Sequence, residues 1–440
     1  MKQMKKSCVF VALFFLVSYC PIYAQMSLED AIEIALNQSL KLKISMNKVS
    51  SVNNLAIPGQ AGLLPSLSAL GSTDYGNNTT QIEFASDQDP LNTSNAQSLN
   101  LFAGLSATYT LFSGGSQINR FRKLKFDADI SSLQNRLDVE STIMSVVSAY
   151  SNVLRSRDNY QAIHESMIFS QERVNLAKRQ KEFSGSSRIQ LLNAEVDLNQ
   201  DSVATIQANQ ALEAAEISFN KLLNRDLSSE VSLLSLPFLF SNILDYSSLK
   251  ETMLQQNTQV LSARLNIQNS LLSLKISKSS YIPQLNLTGS YNFSRSETEG
   301  NFLTLNESSG LGVLFSITLP LYSGGTRRAM MENAKLDLLN NEFKLRETSL
   351  SIEANLLKAY FDFEKSKQIL LMEEKNVILN EENLNYVKKD YDAGILSSNE
   401  LRSAQINLLL VKNNLNNARY NLVLSEMEVL RLTGNLINRF

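Results

Sequence analysis

The chain has 440 residues, with 41 Lys and Arg against 43 Asp and Glu, two Cys, one His and no Trp. That length suits two or three ordinary domains, or one elongated structure. The absence of a basic excess argues against a nucleic-acid binder held by phosphate contacts. His164 alone, with no cysteine after Cys20, is poor material for a metal site or for nucleophilic catalysis that needs an imidazole base. Neither a cofactor nor an enzymatic activity is expected.

Residues 1–24 have the pattern of a secretory signal peptide. Lys2, Lys5 and Lys6 give a positive start, Val9 to Val17 a short apolar core, and Ile22-Tyr23-Ala24 a cleavage site. The apolar core falls short of the roughly 20 residues that span a bilayer. Acylation at Cys20 would want a small residue where Tyr19 stands. Removing the segment leaves 38 basic against 43 acidic residues and no cysteine. Nothing after Ala24 resembles a spanning helix, so the exported product is either soluble or inserted in a membrane as strands.

Ser27-Leu28-Glu29-Asp30 looks like a helix-opening capping box, and so does Ser248-Leu249-Lys250-Glu251. After Leu64-Pro65 comes a strand, Ser66 to Tyr75, then a polar loop, Gly76 to Ser98. Leu99, Leu101, Ala103, Leu105, Ala107, Tyr109 and Leu111 alternate with mostly polar residues, Phe102 excepted. A period of two over that length predicts a strand with one oily and one wet face, long enough to cross a bilayer when tilted. Gly114-Gly115 then fits a strand-to-helix bend better than a phosphate loop, since the spaced Gly-Lys-Ser/Thr is missing. Ser116 to Ser184 holds neither Gly nor Pro, which predicts a helix of roughly 100 Å at 1.5 Å per residue. Gly185, flanked by serines, marks a turn, and Ile189 to Leu223 resumes helical spacing.

Beyond an apolar linker, Ser232 to Phe240, the order returns. Gln284 to Ser294 is a strand with Leu285, Leu287, Tyr291 and Phe293 on one face, followed by a polar loop, Arg295 to Ser309. Leu311, Val313, Phe315, Ile317, Leu319 and Leu321 alternate again, with Leu314 the exception on the polar side. Gly324-Gly325, an uninterrupted Thr326 to Ala393, a turn at Gly394 and a helix Leu401 to Leu432 complete it. The seam Leu336, Leu339, Phe343, Leu350, Leu357 and Tyr360 is broken by Arg346 and Glu353. A tight two-stranded zipper would not tolerate that, although a long soluble coiled coil stays open as an alternative. Leu111 to Gly115 recurs as Leu321 to Gly325, 210 positions later, and Ala149-Tyr150 as Ala359-Tyr360 at the same spacing. The expected division is a signal peptide at 1–24 and two tandem repeats at 25–225 and 226–440. Each repeat holds a helix, two membrane strands and a long helical hairpin. Four strands cannot close a barrel, and an open edge is not tolerated in hydrocarbon, so several copies must pool their strands.

The module order, met twice, resembles the TolC-like outer membrane efflux proteins over essentially the whole mature chain. The resemblance implies a mixed α and β fold, in which a shared transmembrane β-barrel with four strands per chain is continuous with a long periplasmic α-helical barrel. It implies a homotrimer in the outer membrane, a periplasmic adaptor protein, and an inner-membrane efflux pump or ABC transporter that supplies the energy. The implied function is passive export of small molecules, with type I protein secretion as the alternative. Family members close the periplasmic end with acidic residues after the second hairpin apex. By that correspondence Glu400 is a gate residue, Ser403 stands where a second acid is usual, Gln190 is the first-repeat counterpart, and Tyr391 holds the closed state. The same resemblance assigns the apex and adaptor docking to Gly185, Gly394, Ile395, Leu396 and Ser397, and the bends to Gly114, Gly115, Gly324 and Gly325.

Overall fold

The structure is a computed structural model that describes residues 25–83, 85, 90–184, 188–236, 245–299 and 303–440. The expected signal peptide, with Cys8 and Cys20, and the turn residue Gly185 lie outside the described residues. The fold is mixed α and β, in the order α1 (Leu28–Gln38), α2 (Leu40–Leu55), β1 (Ser66–Ile82), β2 (Leu91–Phe112), α3 (Ser116–Ser184), α4 (Arg188–Leu222). The same sequence of elements follows as α5 (Tyr246–Gln256), α6 (Thr258–Ser279), β3 (Gln284–Thr298), β4 (Leu305–Thr318), α7 (Thr326–Asp392) and α8 (Ser398–Leu432). Two compact units divide the chain. One takes residues 1–37, 145–240 and 373–420; the other takes 38–144, 241–372 and 421–440.

The second of these units carries the sheet, four antiparallel strands in the order β1-β2-β3-β4. The strands outrun their apolar stretches. Pairs such as Asn78 with Ala96 and Arg295 with Glu307 continue the ladder through much of what the polar composition predicts as loop. Backbone pairing needs no apolar side chain, so polarity there reports water and not the end of the strand. At its other end β4 stops short of expectation. Its last pair is Thr318 with Gln284, and Leu319 and Leu321 fall outside, because Pro320 has no N–H to donate to a ladder.

Helix α6 is anchored in this unit by Asn257. Its Oδ1 accepts from the amides of Gln259 and Val260, at 3.0 and 3.2 Å, while its Nδ2 donates to Leu432 O at 2.9 Å. Buried Glu140 accepts from Thr258 Oγ1 at 2.7 Å and from Arg136. Helix α5 opens on Asp245, whose carboxylate accepts from the Ser247 amide, and not on Ser248 as the capping-box pattern predicts. Asp245 stands three residues earlier, and its carboxylate accepts from both the amide and the hydroxyl of Ser247, which leaves Ser248 inside the first turn. Glu353, which breaks the seam of α7, pairs with Lys250 of α5.

The other unit is centred on Tyr150, fully buried against Phe219 with ring centroids 6.0 Å apart. Its hydroxyl reaches the carbonyls of Met26 and Leu234 at 2.9 and 2.6 Å, beside a short parallel bridge between Met26 and Leu233. Burial, and then the charge of Glu29, pushes the Tyr150 hydroxyl up to about 12. Helix α1 does open on the expected box: Ser27 N donates to Asp30 Oδ2 and Asp30 N to Ser27 Oγ, each at 3.1 Å.

Candidate channel wall and hairpin apex

The sheet has two chemically opposite faces. Register sets Ala69 beside Leu105, Leu105 beside Tyr291 and Tyr291 beside Leu311; Tyr109, Leu287 and Phe315 form a parallel row. Among the described residues nothing covers this face: Leu311 is 77% exposed, Val313 70% and Ile317 63%. An uncovered apolar surface of that extent marks contact with lipid or with another molecule. The opposite face is a lattice of hydroxyls and amides. Thr110 Oγ1 donates to Asn286 Oδ1 at 2.9 Å, Ser296 Oγ to Asn100 Oδ1 at 2.6 Å, and the Ser294 and Ser308 hydroxyls bond to each other at 3.1 Å. Phe102, the aromatic exception on this side, lies against Gly104, where an added Cβ would sit 3.1 Å from its ring. Both outer strands, β1 and β4, keep a free edge.

At the helix end of the sheet the chain turns in two residues. Gly114 and Gly115 have φ of 61° and 79°, and Ser116 N bonds back to Ser113 O at 3.1 Å. Gly324 and Gly325 repeat this at 60° and 83°, with Thr326 N on Ser323 O at 3.2 Å. Two successive left-handed residues favour glycine, which carries no Cβ to clash.

The second hairpin apex joins α7 to α8. Gly394 has φ of 77°; its amide bonds to Tyr391 O and that of Ile395 to Asp390 O, both at 2.9 Å, which ends α7 in a Schellman motif. Helix α8 opens on Ser397. The Ser397 amide and hydroxyl both donate to Glu400 Oε2, at 2.6 and 2.8 Å, and Glu400 N returns to Ser397 Oγ at 3.4 Å. Those bonds, the backbone one first, hold the Glu400 carboxyl below its ordinary value. Glu400 is therefore a capping carboxylate, a role written in Ser397-Ser398-Asn399-Glu400 itself. Ser403 is exposed and bonds back to Asn399 O at 3.0 Å. Gln190 is exposed near the start of α4 and Ile395 is exposed at the apex, while Leu396 is half-buried. Tyr391 is half-buried and lines a cavity of about 390 Å³ with Phe169, Leu384 and Leu401. His164 stacks on Tyr160, with centroids 5.8 Å apart.

Just beyond the apex lies a cluster that no pattern in the sequence marks. Arg402 of α8 grips Asp201 of α4 with two bonds of 2.7 Å, and Ser170 of α3 donates to the same carboxylate at 2.6 Å. Arg173 of α3 reaches Asp197 at 3.1 Å and Ser398 Oγ of α8 at 2.9 Å. Two arginines and two aspartates close on each other across three helices. Its partners stand up to 232 positions apart in sequence, so only the packing brings them together. Among the described residues no group of His, Cys, Asp and Glu is placed to hold a metal, and no helix is long and apolar enough to cross a membrane.

A sheet with one uncovered oily face and one wet face, in a chain that twice runs on into a very long helical hairpin, is the architecture of an outer-membrane export channel. The outer membrane efflux protein profile matches residues 31–225 and again 249–435. Outer membrane protein TolC of Vibrio cholerae is 22% identical over 299 residues, 68% of each chain. The alkaline protease secretion protein AprF of Pseudomonas aeruginosa is 23% identical over 90% of this chain and 82% of its own. The Campylobacter jejuni CmeC outer membrane channel superposes with a TM-score of 0.75 at 19% identity, covering 93% of this chain and 86% of its own. The open state of the Neisseria gonorrhoeae MtrE outer membrane channel does so with 0.74 at 18% identity, covering 93% and 89%. The chain belongs to the outer membrane efflux protein family. It is an efflux channel of the outer membrane with a large periplasmic part, in a family of export ducts.

Proposed function

We propose that three copies of this chain pool their sheets into a 12-stranded barrel, and their hairpins into a periplasmic helical barrel, to make one passive duct. The observation that carries this reading is the open four-stranded sheet, whose two free edges and uncovered oily face cannot stand alone in hydrocarbon. The repeated element order and the two matched segments support two tandem repeats, at 25–225 and 226–440, behind a signal peptide at 1–24. A periplasmic adaptor would dock at the hairpin apices, around Gly185 and Gly394 to Ser397, and an inner-membrane pump would supply the energy. The cargo is small molecules. Export of proteins by a type I system is the second reading, favoured by the protease secretion relative that aligns over 90% of this chain.

Purification from outer membranes in detergent, followed by mass and single-channel measurement, tests the duct. A trimer with a stable conductance is expected, and a monomer without one overturns the proposal. Deletion followed by drug-susceptibility and secreted-protein profiling separates the two cargoes.

Glu400 keeps a place in the gate under this reading, because three copies of one carboxylate at a narrow mouth attract cations. Glu400→Gln retains an amide that can cap α8 and removes the charge. Weaker cation selectivity in that variant supports the gate, and unchanged selectivity leaves Glu400 as a cap only.

A further inference from the structure

The two ends of the sheet differ in charge. At the hairpin end stand Glu83, Glu297, Glu299 and Glu307, with Arg295 between them. At the helix end, three segments carry Arg120, Arg122, Lys123, Lys125, Lys275, Lys278, Arg327 and Arg328. Across residues 113–126, 275–283 and 319–331 there is no Asp or Glu.

The fold gathers these segments into one collar. A Cβ on Gly114, at the start of α3, would lie 2.9 Å from Ile282, just past α6. Arg327, in the first turn of α7, donates to Ser280 O at 3.3 Å and stacks its guanidinium 5.3 Å from the Tyr281 ring centre. Between the oily face of the sheet and α7, past the end of β4, Leu321 and Tyr322 are 88% and 87% exposed.

Six of the eight cations are exposed, and among the described residues none of the eight is in an ion pair. Lys275 and Lys278 sit in the last turns of α6, where positive charge suits the helix dipole. The others do not fit that way. Helices α3 and α7 have no acid in their first turns and carry arginines there or one turn later, at the positive end of two long dipoles. Self-repelling charge at the edge of a lipid-facing surface has a complement in the phosphates of that lipid.

We infer that this collar binds anionic phospholipid head groups in the periplasmic leaflet and fixes the depth of the sheet in the membrane. The inference rests on the outer-membrane channel reading above.

The test uses the protein purified from outer membranes and reconstituted in nanodiscs of phosphatidylethanolamine with a minor share of phosphatidylglycerol. Lipids retained on the protein are counted by native mass spectrometry, and conductance is recorded from the same preparation. The wild type should retain phosphatidylglycerol at least about fivefold above its bulk share, the effect of a single surface cation. Arg120→Gln, Arg122→Gln, Lys275→Gln and Arg328→Gln together should lower that enrichment severalfold without abolishing conductance. Lys344→Gln, Lys358→Gln, Lys365→Gln and Lys367→Gln together, four exposed cations farther along α7, should leave the enrichment intact. Equal enrichment in both variants overturns the inference, as does displacement of the lipid by inorganic phosphate at the same concentration. A wild type that conducts without enrichment also overturns it while leaving the channel standing; absence of conductance in every sample counts against the channel itself.

Discussion

Glu400 shows how a capping bond also sets the proton affinity of the group that makes it. Its carboxylate closes the first turn of α8, and the bonds that do so hold its proton affinity down. A group whose folded value is lowered stabilises above its unfolded value of 4.5 and loses that contribution as pH falls through the folded value. Amide protection in the first turn of α8 should therefore be flat from neutral pH to about 5 and fall on further acidification, whereas Glu400→Gln should show no such step. Tyr150→Phe is a sharper case. It removes the donor that the carbonyls of Met26 and Leu234 share, although Met26 O keeps the Leu234 amide, and should cost about 0.5–1.5 kcal/mol in denaturant unfolding. At this scale the sequence showed the residues and hid their partners. Tyr150 stood out only by recurring as Tyr360, and Ser397 was assigned only to the apex, although a serine three positions before Glu400 is itself a capping pattern. Nothing local, however, ties Arg402 to Asp201.

That pair makes its prediction at the level of helices. With 14% and 13% of their side chains exposed, Arg402 and Asp201 lock α8 to α4; without Asp201, Arg402 keeps only Asp197 as a carboxylate partner, at 4.0 Å, and without Arg402, Asp201 keeps only the Ser170 hydroxyl. Arg402→Leu and Asp201→Leu should each destabilise by about 3–5 kcal/mol, and the double variant by clearly less than their sum. A thermal or denaturant double-mutant cycle decides it; strict additivity would show that the bond is not a fastener. The two glycine bends offer a second comparison. A methyl on Gly114 meets Ile282 at 2.9 Å, while one on Gly324 meets nothing within 4 Å. Gly114→Ala should therefore lower stability more than Gly324→Ala, although both pay for a left-handed backbone. Helix lengths were legible almost to the residue, since α3 and α7 fill the stretches free of Gly and Pro. Strand lengths were not, because the ladder runs on into residues whose polarity had suggested loop.

For the whole molecule, the face a residue occupies decides what it can be replaced with. Val313→Arg places a charge where lipid is expected and should cost about 2–4 kcal/mol if that position lies near the bilayer midplane. Ser316→Arg, three residues on and facing the opposite way, should assemble normally and alter conductance. Heat-modifiable mobility on gels and urea unfolding in lipid check the pair, and equal tolerance of both would contradict the proposed wall. The duplication and the four strands could be read from one chain because both are periodic in sequence. The number of copies could not, since it depends on how neighbouring edges meet.

The bend at Gly114-Gly115 has a further consequence. It joins β2 to α3 with no slack, so it sets the azimuth of a helix 69 residues long. One residue inserted after Gly115 would leave the strands in register but rotate every later side chain of α3 by about 100° around its axis. Residues now packed inward would swing outward along the helix, and the reverse. This joint is where the angular origin of α3 is kept.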